Sequence, residues 1–223
     1  MAAAPVAAGG IRPPVRIPAR TPGALGALAI LAAGLAGCAA ERGVALPDLS
    51  EWERRTAVLG GLDEFEFSGR VGVRYADDGF NAKLHWEQDG QRFDARLSGP
   101  LGMGTVLIAG SGNHAVITDK DGETTVLADL ENELYRRYGW SIPVESLRYW
   151  ALGIPDPRAP ADTAFGAGGE LTELSQRGWT VTIGGYREAG GGQSMPAKLT
   201  ASDPRTRVRL VIDRWIFHES VVP

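Results

Sequence analysis

Residues 65–75 read FEFSGRVGVRY and alternate along almost their whole length. Phe65, Phe67, Val71, Val73 and Tyr75 fall on one side of an extended chain; Glu66, Ser68, Arg70 and Arg74 fall on the other. Period-two alternation predicts an antiparallel strand with one wet face. Two more runs repeat it. After a turn at Asp77-Asp78-Gly79, the residues Phe80, Ala82, Leu84 and Trp86 alternate with Asn81, Lys83, His85 and Glu87. After Asp89-Gly90, the residues Phe93, Ala95 and Leu97 alternate with Arg92, Asp94 and Arg96. Strands Thr105–Ala109, His114–Asp119 and Glu123–Leu127 follow, separated by Gly110-Ser111-Gly112-Asn113 and Asp121-Gly122. Asp-Gly and Gly-Asn are hairpin turn chemistry. A meander this long with one apolar face has to curl around something.

The period then changes. Leu127, Leu130, Leu134 and Tyr138 recur at helical spacing, with Asp129 as N-cap and Gly139 as stop. A second helix is expected over 141–153, with Pro143 near its start and Val144, Leu147, Trp150 and Ala151 as its apolar stripe. Pro155, Pro157 and Pro160 then make an irregular connection. Strands resume at Glu170–Leu174, Trp179–Tyr186, Ala197–Ala201 and Arg207–Phe217, with the glycine-rich 189–193 as a flexible, exposed loop. Ahead of the first strand, a helix is expected from Pro47 to Leu62. Ser50 would cap it, Glu53 would complete a capping box, and Trp52, Thr56 and Leu59 would share its buried face.

Two mid-chain helices with apolar faces must bury them, and the concave face of the curled sheet is the surface available. The expected fold is therefore mainly β (α+β): an unclosed antiparallel β-barrel with an α-helical lid. Phe65, Phe67, Val71, Val73, Leu84, Trp86, Phe93, Leu97 and Trp179 would line the interior. Such an aromatic-lined concavity either packs on itself or holds an apolar ligand.

The first 37 residues carry Arg12, Arg16 and Arg20, no acids, and a short Ala/Leu/Gly-rich run from Gly23 to Gly37. That is the pattern of a secretory signal, too short for a comfortable membrane span. The run ends in Leu35-Ala36-Gly37-Cys38, and Cys38 is the only cysteine. This is similar to a bacterial lipobox, in which cleavage precedes a cysteine that becomes acylated. Ala39 after it resembles the form sent to the outer membrane. The chain thus divides into a signal peptide (1–37), a lipidated tether (38–47) and a folded domain (48–223). Losing the signal peptide takes the formal charge from −4 to −7. An acidic surface argues against nucleic acid as a partner, and against simple electrostatic adhesion to anionic lipid.

Catalytic patterns are missing. His85, His114 and His218 lie on separate strands without metal-ligand spacing, and there is no G-x-S-x-G, H-E-x-x-H or P-loop. The carboxylates alternate outward or cap helices. No enzyme, cofactor or metal is expected.

One turn breaks the rule that turn tips are polar. In SGPLGMG (98–104), Leu101 and Met103 are displayed on Gly99, Pro100, Gly102 and Gly104. This tip, with FEFSGRVGV at 65–73, SIPVESLRYWALGIP at 141–155, GGY at 184–186, MPAKL at 195–199, DRWIF at 213–217 and the lipobox, resembles the LolB family of outer-membrane lipoproteins. The resemblance implies an unclosed barrel with a helical lid that accepts lipoproteins from a LolA-like periplasmic carrier and inserts them into the outer membrane. It implies a monomer anchored through Cys38 and facing the periplasm, with acylated cargo and outer-membrane phospholipid as its other partners. Leu101 falls on the family's exposed loop leucine, flanked by Pro100 and Gly102; Met103, where relatives are polar, makes this tip more apolar. Phe67, Trp86, Phe93, Leu147, Trp150 and Trp179 are candidates for holding acyl chains. Arg148, in the run Leu147-Arg148-Tyr149-Trp150, is a candidate for a hydrogen bond across the seam between lid and barrel. Two other readings remain open: a lipoprotein that binds or moves free lipid, and a structural envelope lipoprotein with a packed core.

Overall fold

The computed structural model describes residues 43–99, 104–139 and 142–218. Their strands form one antiparallel sheet: β1 (Glu64–Tyr75), β2 (Asp78–Asp89), β3 (Arg92–Ser98), β4 (Thr105–Ser111), β5 (His114–Thr118) and β6 (Thr124–Leu127), then β7 (Ala161–Phe165), β8 (Leu171–Gln176), β9 (Trp179–Ala189), β10 (Gln193–Ser202) and β11 (Thr206–Phe217). The spatial order is β6-β5-β4-β3-β2-β1-β11-β10-β9-β8-β7. The first strand therefore pairs with the last, from Phe65 opposite Phe217 to Tyr75 opposite Thr206. That leaves β6 and β7 as the two edges, unpaired with each other. Helices α2 (Leu130–Tyr138) and α3 (Val144–Leu152) connect those edges, and α1 (Trp52–Gly60) precedes β1. The half-barrel with a helical crossing is the architecture that the alternation and the period change predict.

The sheet bends along a line of irregularities. Pairing of β1 with β11 slips between Ser68 and Gly69, and β10 with β9 slips between Pro196 and Leu199. Gly69 lies opposite Ile212 and Lys198 lies opposite Val211, so the two defects are neighbours across three strands. Bulges raise local twist. They also accommodate Pro196, which lacks an N–H for the ladder. Gly69 is required there, because a Cβ would stand 2.0 Å from the Val211 carbonyl oxygen.

Some local expectations need correction. Helix α1 starts at Trp52, and Ser50 does not cap it: the Ser50 amide and hydroxyl both donate to the Asp48 carboxylate, at 3.0 and 3.2 Å. Its buried face is Arg55 and Leu59, with Trp52 and Thr56 only half-buried. The Arg55 guanidinium donates to the Ser194 and Leu152 carbonyls, tying α1 to β10 and α3. The first hairpin turns at Ala76-Asp77, so Asp78 and Gly79 belong to β2. Strand β7 escapes sequence reading because it is an edge with almost no buried residue, hence no periodicity. The glycine-rich 190–192 turn is not a free loop: the Leu46 amide donates to Gly190 O at 2.8 Å, and a Cβ at Gly190 would meet Phe217 and Leu46. The helix α2 reading holds at both ends, with Asp129 accepting from the Asn132 amide and Gly139 left-handed, while Leu127 of its apolar series belongs to β6.

Gly69→Ala should lower stability by about 1–3 kcal/mol, the usual range for forcing atoms into filled space. Gly184→Ala, whose Cβ would lie 3.7 Å from its nearest neighbour, should change little. Equal urea midpoints for the two variants would show that the bulge is not what demands glycine at 69.

Candidate functional site

Helix α3, VESLRYWAL, spreads its contacts over two sides. Trp150, fully buried, donates its indole N–H to Gln176 Oε1 at 2.9 Å and packs against Trp179 at 6.1 Å between ring centroids. Ser146, also fully buried, donates to Asp156 Oδ2 at 2.7 Å. Both partners lie toward β8. On the other side Leu147, Arg148 and Ala151 roof a cavity of about 60 Å³, floored by Phe67 and Val71 of β1, Leu84 and Trp86 of β2, and Val208 and Leu210 of β11. Trp86 and Arg148 also wall a second, larger cavity of about 190 Å³, beside the β2–β3 turn, with Gln88, Phe93 and Tyr149.

The floor continues as a ladder of five rings, Phe93–Trp86–Phe67–Trp215–Phe217. Successive centroids are 4.7, 5.9, 5.1 and 5.6 Å apart, running from β3 to β11. Trp86 is held in place by Gln88, which accepts its indole N–H at 3.2 Å and donates to the Gly90 and Arg92 carbonyls. The Gly90 carbonyl also accepts from Arg148 Nη1 at 3.0 Å. That bond is what joins the α3 roof to the β2–β3 turn.

The two margins of α3 differ in strength. On the β8 side Asp156, wholly buried, accepts from Ser146, from the Arg158 backbone, and from Arg158 Nε and Nη2 at 2.9 Å each. Arg158 also pairs with Glu145 of the helix. Burial pushes the Asp156 carboxyl up, but the bonds from Arg158 and Ser146 outweigh it and hold the group below the usual carboxylate range. On the other side Arg148 makes one charged bond, worth about 1.5–3 kcal/mol, and its buried Nε has no partner among the described residues. Helix α3 is pinned along β8 and lightly latched over β2.

The sequence candidates therefore separate. Phe67, Trp86 and Leu147 wall the cavity under α3, and Phe93 stacks on Trp86 and lines the neighbouring cavity. Arg148 stands at the seam. Trp150 and Trp179 sit together on the pinned side, away from the cavity lining. Cys38, Pro100, Leu101, Gly102 and Met103 lie outside the described residues. The roles of Gln88, Gln176 and Asp156 show only once the chain is folded; Trp215 and Phe217 carry a signal in the run DRWIF, but only strand register places them in the ring ladder.

Fold and site together define a class: an unclosed β-barrel with a helical lid over an apolar pocket. Among the described residues no group of His, Cys, Asp or Glu could hold a metal ion, and no helix is long and apolar enough to cross a membrane. Residues 63–215 match the family profile "Outer membrane lipoprotein LolB". An outer-membrane lipoprotein LolB from Nitrosococcus oceani is 32% identical over 165 residues, covering 74% of this chain and 82% of its own. One from Cellvibrio japonicus is 33% identical over 195 residues, covering 84% and 94%. A solved structure of a LolA superfamily protein from Nitrosomonas europaea aligns with a TM-score of 0.49 at 8% identity, over 72% of this chain and 88% of that one. At that distance it adds nothing to what the sequences say. The chain belongs to the outer-membrane lipoprotein LolB family. It is a lipid-anchored outer-membrane protein that faces the periplasm.

Because the Asp156 carboxyl is depressed in the folded state, its ionised form stabilises the fold above the unfolded value near pH 4. That stabilisation is lost as pH falls through the lower, folded value. Asp156→Asn should cost about 1–3 kcal/mol at pH 7, and the gap to the unmodified chain should narrow below pH 4. Urea unfolding at pH 7 and pH 3 checks this; a gap independent of pH would contradict it.

Proposed function

We propose that this chain accepts lipoproteins from a LolA-like periplasmic carrier by taking their acyl chains beneath α3, and then inserts them into the outer membrane. The observation that carries this reading is the cavity between α3 and the aromatic floor, with a pinned margin on one side and a light latch on the other. At about 60 Å³ the cavity is far below the roughly 300–1,000 Å³ of a working ligand pocket, so the geometry corresponds to a closed lid. Breaking the Arg148–Gly90 bond would join it to the neighbouring space that Trp86 and Arg148 also wall. The aromatic ladder then offers apolar surface for each methylene that enters, worth about 0.8 kcal/mol apiece.

Direction needs no covalent step. Cargo moves forward if its acyl chains bind the carrier weakly, this cavity more tightly and the bilayer most tightly. Each tenfold step costs about 1.4 kcal/mol, less than two methylenes supply. The proposed release device is the tip 100–103. Its stem is closed by the Gly99 amide bonding Gly104 O at 3.1 Å. Inserting one Leu of that tip in the bilayer would gain about 1.5–3 kcal/mol. The proposed division of the chain follows: signal peptide 1–37, lipidated tether from Cys38, folded domain from about residue 48, with Val44 and Leu46 already bonded to Phe217 and Gly190.

The test is transfer. Carrier-bound acylated lipoprotein, mixed with this protein and then with liposomes, should change hands and reach the membrane. Leu101→Glu should leave uptake intact and abolish delivery. A chain that takes free lipid but never removes cargo from its carrier would refute the receptor reading. Cys38→Ala should appear in the soluble periplasmic fraction, and its retention in outer membranes would remove acylation from the account.

A further inference from the structure

An acidic net charge conceals a strongly basic face. On the outer side of the sheet, opposite the aromatic floor, lies a shallow groove of about 780 Å³. Arg70, Arg74, Lys83, Lys198, Arg207 and Arg209 line it, and no carboxylate does. Pairing brings them together from β1, β2, β10 and β11. Arg70 stands directly opposite Lys83, and Arg74 directly opposite Arg207. Arg209 lies between Gly72 and Thr200. Among the described residues only Arg70 of the six has an ion-pair partner, Asp213 at 3.2 Å.

Like charges directly opposite across strands destabilise a sheet. Folding alone therefore does not favour two such pairs side by side, whereas an anion bound over them would relieve both. The question is which anion. The chain belongs to a family of outer-membrane lipoproteins. Val44 is bonded to Phe217 at 2.6 Å, and the chain from Cys38 to Val44 could span at most about 20 Å even if fully extended. Arg70 lies five residues along β1 from Phe65, roughly 17 Å at strand spacing. The bilayer surface is therefore the densest array of negative charge within reach of this face.

We propose that the outer face of β1, β2, β10 and β11 docks on the phosphate headgroups of an anionic phospholipid bilayer, setting how the domain sits on its own membrane. The proposal uses the Cys38 anchoring reading for its reach argument. It reverses, for this face, the expectation from net charge that anionic lipid is disfavoured. Cations near such a surface contribute about 1 kcal/mol each and act within a Debye length, so contact depends on both lipid charge and salt.

The full acylated chain, carrying a donor dye at Thr182→Cys on the exposed rim of the groove, is reconstituted into vesicles with a headgroup acceptor dye. Energy transfer should rise at least about twofold when phosphatidylcholine is part-replaced by phosphatidylglycerol, and fall back in high salt. Arg74→Gln/Arg207→Gln should abolish the rise; the salt response of the unmodified arginines tests the same point if that variant misfolds. Transfer that ignores lipid charge and salt overturns the proposal. If, in that case, the double variant instead loses uptake from the carrier, the face belongs to an acidic protein. A chain that does not float with uncharged vesicles lacks its anchor, which defeats the anchoring reading alone. Flotation on phosphatidylglycerol vesicles must then still occur, and its absence overturns the surface proposal.

Discussion

Everything in this fold depends on the pairing of the first strand with the last. Residues 131 to 152 positions apart meet along twelve-residue strands, from Phe65 with Phe217 to Tyr75 with Thr206. That seam joins an N-terminal run of six strands to a C-terminal run of five, and it puts both free edges at the mid-chain break. Strands β6 and β7 end the sheet without pairing, and the chain between them carries α2 and α3. The helices must cross the opening, and their apolar faces have only the concave surface to cover. The lid is a consequence of topology before it is a functional device.

The same topology makes the lid asymmetric. Helix α3 leads into β7 and β8, so its Ser146 and Trp150 meet Asp156 and Gln176 on that side with several buried hydrogen bonds. Over β2 its apolar residues face Leu84 and Trp86, and its hydrogen bond is to the carbonyl of a tight turn, through Arg148. Several buried bonds hold one margin of the helix and a single charged bond holds the other. A lid fixed equally on both sides would need its core dismantled before anything could enter.

The parts of this that the sequence reveals are the parts with a period. Alternation locates β1 to β3 and their inward residues, Asp129 and Gly139 bound α2, and the run VESLRYWAL carries both the apolar face of α3 and its arginine. What stays hidden is whatever register alone assembles. Gln88 and Gln176 look like ordinary polar residues until folding buries them against tryptophan N–H groups. Edge strand β7 buries too little to show a pattern. The basic groove is invisible strand by strand, because Arg70, Lys83, Lys198 and Arg209 each occupy a normal outward position. Only the pairing of β1, β2, β10 and β11 sums them. Ser50 misleads for a local reason, since Asp48 takes the hydrogen bonds that a cap would have made.

The central claim is that acyl chains enter between α3 and the aromatic floor, and a photo-crosslinker in the lid reads this directly. A benzophenone side chain at Leu147, on the face that roofs the cavity, is offered carrier-bound lipoprotein and irradiated. The account predicts an adduct with acylated cargo that disappears when the cargo lacks its acyl chains. Equal adducts with both cargoes, or adducts arising only from the same reporter at Thr182 on the outer face, would contradict it.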